Sequence, residues 1–238
     1  MSHAKNVAAY GKLISCCTGL GGKYKPGHPN LQLDALNALL ADAKQALENV
    51  KVTKSDLNNE TNTREIEFSN LPKVASSILF SLAASGASEQ TLDDARVFLR
   101  QITGRRLKDR APIPSDKAEP VINTRPLTQR SYVSRADHFA KLVQVASSSP
   151  IYQPNEPELQ VVSLNELVAK LQVLNTSVAK ADVEWSNARI ERTNRFYAKG
   201  SSILATARKV KNYVRAIHGV NSEQYRQLKE LSFTKPKI

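Results

Sequence analysis

Apolar residues recur every three or four positions along most of the chain, the spacing that places side chains on one face of an α-helix. The spacing is most regular in two long segments, from Leu33 to Leu57 and from Leu164 to Ala188. No sustained run of alternating β-branched residues bounded by turn signals is present. The sequence therefore predicts an all-α protein.

One segment of the chain occurs twice. "KYKPGHPNLQLDALNALLA" at 23–41 returns 128 residues later as "IYQPNEPELQVVSLNELVA" at 151–169, and "YGKLI" from Tyr10 returns as "FAKLV" from Phe139. Such ordered matches predict a tandem duplication with repeat units at 1–104 and 131–238 and a pseudo-twofold arrangement. Residues 105–130, which hold four of the eleven prolines, are predicted to form an extended, basic linker.

Each repeat unit is expected to contain four helices in the order short, long, long, short, with the long helices packed as in a coiled coil. Pro72 is predicted to begin the third helix of the first unit, and the second unit, which lacks this proline, is expected to bend less sharply or at a later position. Gly86 and Gly219 are predicted to end helices, and Ser88 and Ser222 to cap the helices that follow.

The repeated loop contains a Tyr-x-Pro-x-x-Pro element in both copies. Aromatic residues and prolines usually set loop geometry, so a structural role is favoured over a ligand contact. The tyrosines are expected to close the end of each bundle, and Pro29 and Pro157 to lie in the first turn of the next helix. The predicted loop anchors are Tyr24, Pro26, Pro29, Tyr152, Pro154 and Pro157.

Motifs of catalysis or metal binding are not apparent in the sequence. Cys16 and Cys17 correspond to Val145 and Ala146 in the second copy, which predicts a packing role. "GLGGK" at 19–23 lacks the ending of a phosphate loop. The four histidines show no ligand spacing and are expected at the surface or at helix ends. The sequence predicts no catalytic residues, no metal, no cofactor and no small-molecule ligand.

The formal net charge of +12 raises the possibility of an anionic partner. Residues 105–130 hold seven basic and three acidic side chains, and residues 191–218 hold seven and one. Arg192, Arg195 and Lys199 are predicted on a different side of the helix from Arg208, Lys211 and Arg215, so a solvated surface is favoured over a continuous binding face. The candidate polyanion contacts are Arg105, Arg106, Lys108, Arg110, Lys209 and Lys211.

The longest apolar stretch, Ile78 to Ala87, is too short to span a bilayer. "LISC" ending at Cys16 resembles a lipoprotein cleavage box, but Lys12 interrupts any apolar segment before it. A cytoplasmic location is therefore expected.

"YKPGHPNLQLDALNALLADAKQAL", "YQPNEPEL" and "VKNYVRAIHGVNSEQYRQLKELSF" together resemble a group of uncharacterised bacterial proteins built from two tandem helical repeats. The resemblance implies a bacterial, duplicated helical protein and transfers no activity. The sequence favours a non-enzymatic structural or protein-interaction role with an unidentified protein partner. Polyanion binding is the alternative, and a membrane-active hairpin that uses Ile78 to Ala87 ranks third.

Overall fold

The computed structural model describes residues 2–104 and 131–235, so the predicted linker 105–130 lies outside the described residues. The described residues form seven α-helices and no β-strand, which confirms the all-α prediction. The helices are α1 Ser2–Gly19, α2 Leu33–Ala84, α3 Glu89–Thr103, α4 Tyr132–Ser148, α5 Val161–Tyr197, α6 Ile203–His218 and α7 Glu223–Glu230. Short 3₁₀ helices occupy Gly21–Lys23, Pro29–Leu31 and Pro157–Leu159.

The predicted capping serines and helix-terminating glycines are confirmed. Ser88 caps α3 by accepting a hydrogen bond from the backbone N–H of Thr91, and Ser222 caps α7 in the same way from Tyr225. Gly86 and Gly219 have φ angles of 79° and 86°, the left-handed values that favour glycine after a helix. The sequence therefore specifies these turns locally.

The prediction that Pro72 begins a helix is wrong, because Pro72 lies inside α2, a single helix of 52 residues. A proline has no N–H, so the carbonyl of Phe68, four residues earlier, loses its backbone donor. Arg135 of α4 replaces that donor, since its Nη2 lies 2.9 Å from the Phe68 oxygen. The first predicted repeat unit therefore contains three α-helices rather than four.

The break occurs instead between α5 and α6, in the unit where the sequence predicts a bend that is less sharp or comes later. Gly200 has a φ of 96°, which a residue with a Cβ adopts at a cost. Ser202 then caps α6 by accepting from the backbone N–H of Ala205. A glycine and a capping serine thus end one helix and begin the next.

The chain folds into two compact units. The terminal unit comprises Met1–Leu57 and Ala181–Ile238, and the central unit comprises Asn58–Lys180. Both long helices, α2 and α5, contribute residues to each unit. The compact units therefore do not coincide with the predicted repeat units: each combines part of the first repeat with part of the second.

The terminal unit has one hydrophobic core built from its five helical segments and the first repeated loop. Tyr10 and Leu13 of α1 pack with Phe196 of α5 and with the buried face of α6, and Leu228 of α7 completes the cluster. The buried residues of α6 are Ile203, Thr206, Ala207, Val210 and Val214. The helix α6 is therefore amphipathic: its apolar face packs on the core and its other side is open to solvent.

The central unit has a separate core. Phe68, Ile78 and Leu82 of α2 pack with Phe139 of α4 and with residues of α3 and α5. The Ile78 to Ala87 segment, considered for a membrane-active hairpin, therefore contributes its large aliphatic side chains to this core. Among the described residues, no helix combines the length and apolarity needed to cross a bilayer.

Candidate functional site

The two repeated loops have the same anchoring hydrogen bond. The Tyr24 hydroxyl donates to the carbonyl oxygen of Leu31 at 2.7 Å, and the Tyr152 hydroxyl donates to that of Leu159 at 2.9 Å. Both tyrosines are buried, at 6% and 5% exposure. Pro29 and Pro157 begin the 3₁₀ turns rather than the first turns of α2 and α5. Each phenol thus holds its loop closed.

Burial makes the titratable side chains of α1 and the first repeated loop unreactive. Cys17 is fully buried, and burial raises the pKa of its thiol to about 11. Burial likewise raises the pKa values of the Tyr10 and Tyr24 hydroxyls above their ordinary range. These groups stay protonated at neutral pH, so the Cys17 thiol is a poor nucleophile.

His138 does not lie where the sequence predicts it. The prediction is a position at the surface or at a helix end, but only 8% of His138 is exposed, and neither ring nitrogen has a hydrogen-bond partner among the described residues. Burial lowers the pKa of its imidazole. The sequence did contain an indication of this burial. His138 precedes the core residue Leu142 by four positions, and residues four apart lie on the same face of a helix.

Grouped ligands for a metal ion do not occur in the described part of the chain, where no three His, Cys, Asp or Glu side chains come together. An open groove of about 300 Å³ lies in the terminal unit between α2 and α5. Its lining residues are Asn49, Val52, Thr53, Glu184, Asn187, Ala188 and Glu191.

The two described candidates for polyanion contact make internal hydrogen bonds. Lys209 Nζ donates to the carbonyl oxygen of Gly200 at 2.8 Å, and Lys211 Nζ donates to that of Leu231 at 2.6 Å. Lys211 is half-buried, and burial lowers the pKa of its ammonium group. The candidates Arg105, Arg106, Lys108 and Arg110 lie outside the described residues.

The folded units divide the charge unevenly. The described residues of the terminal unit, 2–57 and 181–235, include 18 basic and 9 acidic side chains, a net charge of +9. Those of the central unit, 58–104 and 131–180, include 8 basic and 10 acidic side chains, a net charge of −2. The basic character of the described chain is therefore a property of one unit.

Part of this positive charge lies on one side of α6. Leu204, Arg208, Lys211 and Arg215 fall within about 60° of one another at 100° per residue. Leu204, Arg208 and Lys211, together with Phe233, line a cleft of about 150 Å³. The Lys211 ammonium lies 5.4 Å from the centroid of the Phe233 ring.

The segment that carries Phe233 is fixed by α1. Asn6 is buried, its Nδ2 donates to the Thr234 carbonyl oxygen at 2.8 Å, and its Oδ1 accepts from the Thr234 N–H at 3.0 Å. One side chain thus binds both backbone polar groups of one residue, which fixes the backbone beside Phe233.

The chain matches no protein family model, no curated protein and no solved structure. The sequence pattern identifies the basic residues of α6 but not the cleft, because Asn6 and Phe233 are 227 positions apart in the chain.

Proposed function

We propose that the protein is a non-enzymatic helical module that binds a polyanion, specifically nucleic acid, through its terminal unit. The observation that carries this proposal is the charge of that unit, +9 over its described residues against −2 for the central unit. Lys and Arg side chains bind a phosphate backbone by displacing its condensed counterions. A unit with this excess of cations has the electrostatic character that such binding requires.

Internal pairing cannot neutralise the terminal unit. Lys51, Arg195 and Arg226 form exposed ion pairs with carboxylates of the same unit. The described residues of this unit, however, include only nine carboxylate side chains against 18 cationic ones. Even with every one of these carboxylates paired to a different cation, nine positive side chains would remain without a carboxylate partner.

A protein partner, favoured by the sequence alone, has less support. Large apolar side chains that are exposed occur on five helices, for example Phe80 on α2, Val97 on α3 and Val133 on α4. Singly exposed apolar residues are normal on a monomer. The charge distribution is the feature that separates one unit from the other.

Binding of labelled duplex DNA between 50 and 200 mM salt tests this proposal. We expect log K to fall linearly with log salt concentration, and retention on heparin well above 0.2 M salt. Lys12→Gln with Lys44→Gln should weaken DNA binding, whereas Lys73→Gln with Lys141→Gln removes equal charge from the central unit and should not. Elution near 0.2 M, or equal effects of the two variants, would contradict the proposal.

We also propose that the chain arose by tandem duplication and that the two copies have exchanged halves to build the compact units. Equivalent contacts support this origin. In the terminal unit the ring of His3 packs edge-on against that of Phe196, with 5.1 Å between the ring centroids. In the central unit the ring of Tyr132 packs edge-on against that of Phe68, with 4.9 Å between the centroids. Tyr132 follows His3 by 129 positions and Phe196 follows Phe68 by 128 positions, which are the offsets of the sequence repeat.

A loop exchange tests the duplication. Replacing residues 24–31 by the sequence of 152–159 changes Lys25, Gly27, His28 and Asn30 and keeps the tyrosine, both prolines and the final leucine. If the loops are equivalent, the variant should fold with a melting temperature within a few degrees of the wild type. A shuffled loop of the same composition is the control, and an equal loss of stability in both variants would contradict equivalence.

A further inference from the structure

We infer that the cleft lined by Leu204, Arg208, Lys211 and Phe233 binds one phosphate group of the nucleic-acid backbone. This inference rests on the proposed function and assigns it a specific contact. The cleft combines two cationic side chains with an aromatic wall on a surface that already carries a net positive charge.

The size of the cleft restricts its ligand. Its volume is about 150 Å³. Pockets for small organic ligands occupy roughly 300–1,000 Å³. A cleft of this volume has room for a compact group, such as one phosphate, and leaves the rest of a nucleotide chain outside.

No carboxylate among the described residues neutralises the charge of the cleft. Arg208 is exposed and forms no ion pair with any carboxylate that the structure describes. Lys211 is half-buried, and its hydrogen bond goes to a neutral carbonyl oxygen, that of Leu231. An ammonium group has three protons to donate, so two remain for a ligand. A phosphate would supply the counter-charge that the partly desolvated ammonium lacks.

The geometry of the cleft depends on the segment that carries Phe233. Asn6 fixes the backbone of Thr234 through two hydrogen bonds, and the carbonyl of Leu231 orients Lys211. Phosphate binding and docking of residues 231–235 are therefore coupled: release of the segment removes one wall and frees the lysine.

The first experiment compares Arg208→Ala with Lys229→Ala in duplex-DNA titrations. Both variants remove one exposed positive charge from the terminal unit, but Lys229 lies on α7 and does not line the cleft. For Arg208→Ala we expect about fivefold weaker binding near 0.15 M salt and a log–log salt slope smaller by about 0.9, the value of one phosphate contact on duplex DNA. Lys229→Ala should bind within twofold of the wild type.

An uncharged substitution provides the second experiment. Asn6→Ala removes both hydrogen bonds to Thr234 without changing the net charge. It should weaken DNA binding in the wild-type background and have no further effect together with Arg208→Ala. Phe233→Ala replaces it if thermal melting shows that Asn6→Ala does not fold.

The outcomes separate the two proposals. If the wild type shows no salt-dependent DNA binding, the proposed function itself fails. If the wild type binds DNA but Arg208→Ala and Lys229→Ala weaken binding equally, the cleft is not a phosphate site and the surface acts only through its total charge. An Asn6→Ala effect that persists undiminished in the Arg208→Ala background would also overturn the coupling.

Discussion

Arg135 donates a hydrogen bond to the carbonyl oxygen of Phe68, the group that Pro72 leaves without a backbone donor. The guanidinium carbon also lies 5.3 Å from the centroid of the Phe68 ring. A side chain of α4 therefore allows α2 to continue through a proline. This contact joins residues 67 positions apart and belongs to the core of the central unit.

A double-mutant cycle between these positions measures this role. Arg135→Met should lower the free energy of unfolding by about 1–3 kcal/mol, because a buried carbonyl loses its donor. In the Pro72→Ala background the alanine N–H supplies that donor, so the same substitution should cost about 1 kcal/mol less. Urea denaturation of the four proteins provides the values.

Arg64→Met is the matched control for this cycle. Arg64 also stacks on Tyr132, with 4.1 Å between its guanidinium carbon and the ring centroid, but it makes no hydrogen bond to the Phe68 carbonyl in the described structure. Its effect should be the same in the wild-type background and in the Pro72→Ala background. Equal coupling of Arg64 and Arg135 to position 72 would show that the proline acts through packing and not through the missing donor.

Removal of either tyrosine hydroxyl of the repeated loops should destabilise the protein. Tyr24→Phe and Tyr152→Phe each remove a hydrogen bond to a loop carbonyl while keeping the ring. We expect a loss of about 1 kcal/mol in the free energy of unfolding for each. Tyr225→Phe is the control, since its hydroxyl has no hydrogen bond among the described residues, and it should stay within about 0.5 kcal/mol of the wild type. Equal effects at all three positions would rule out a special role for the loops.

His138 should make the protein sensitive to mild acid. Burial lowers the pKa of its imidazole below the ordinary value of about 6.5, and Asp137 and Lys141 act on it in opposite directions. The unfolded chain then binds a proton more readily than the folded one. The contribution of the neutral imidazole is fully present above pH 6.5 and is lost as the pH falls through the folded pKa.

Denaturant unfolding of wild type and His138→Leu between pH 8 and 5 tests this expectation. The stability difference between the two proteins should be constant above pH 7 and should shift in favour of the leucine variant as the pH falls. A difference that stays constant down to pH 5 would show that the imidazole does not titrate differently in the two states.

Local features of the fold were predictable from the sequence, and long-range features were not. Ser88 caps a helix and Gly86 forms a turn through contacts with neighbouring residues in the chain, so the local sequence predicts both. The continuity of α2 depends on Arg135, which the sequence around Pro72 does not contain. The charged cleft likewise requires Asn6 and Phe233 from opposite ends of the chain. The three-four spacing identified the helices but not the segments that pack together.

Each compact unit is built from both halves of the chain, and cutting the folded protein between those halves tests this arrangement. A protease recognition sequence inserted after Lys117 allows the chain to be cleaved into residues 1–117 and 118–238. The cut protein is then run on size-exclusion chromatography, with complete cleavage checked on a denaturing gel. Because the halves share both cores, we expect the fragments to elute together at the position of the intact chain and to separate only in denaturant. Elution as two independent halves in native buffer would contradict this arrangement.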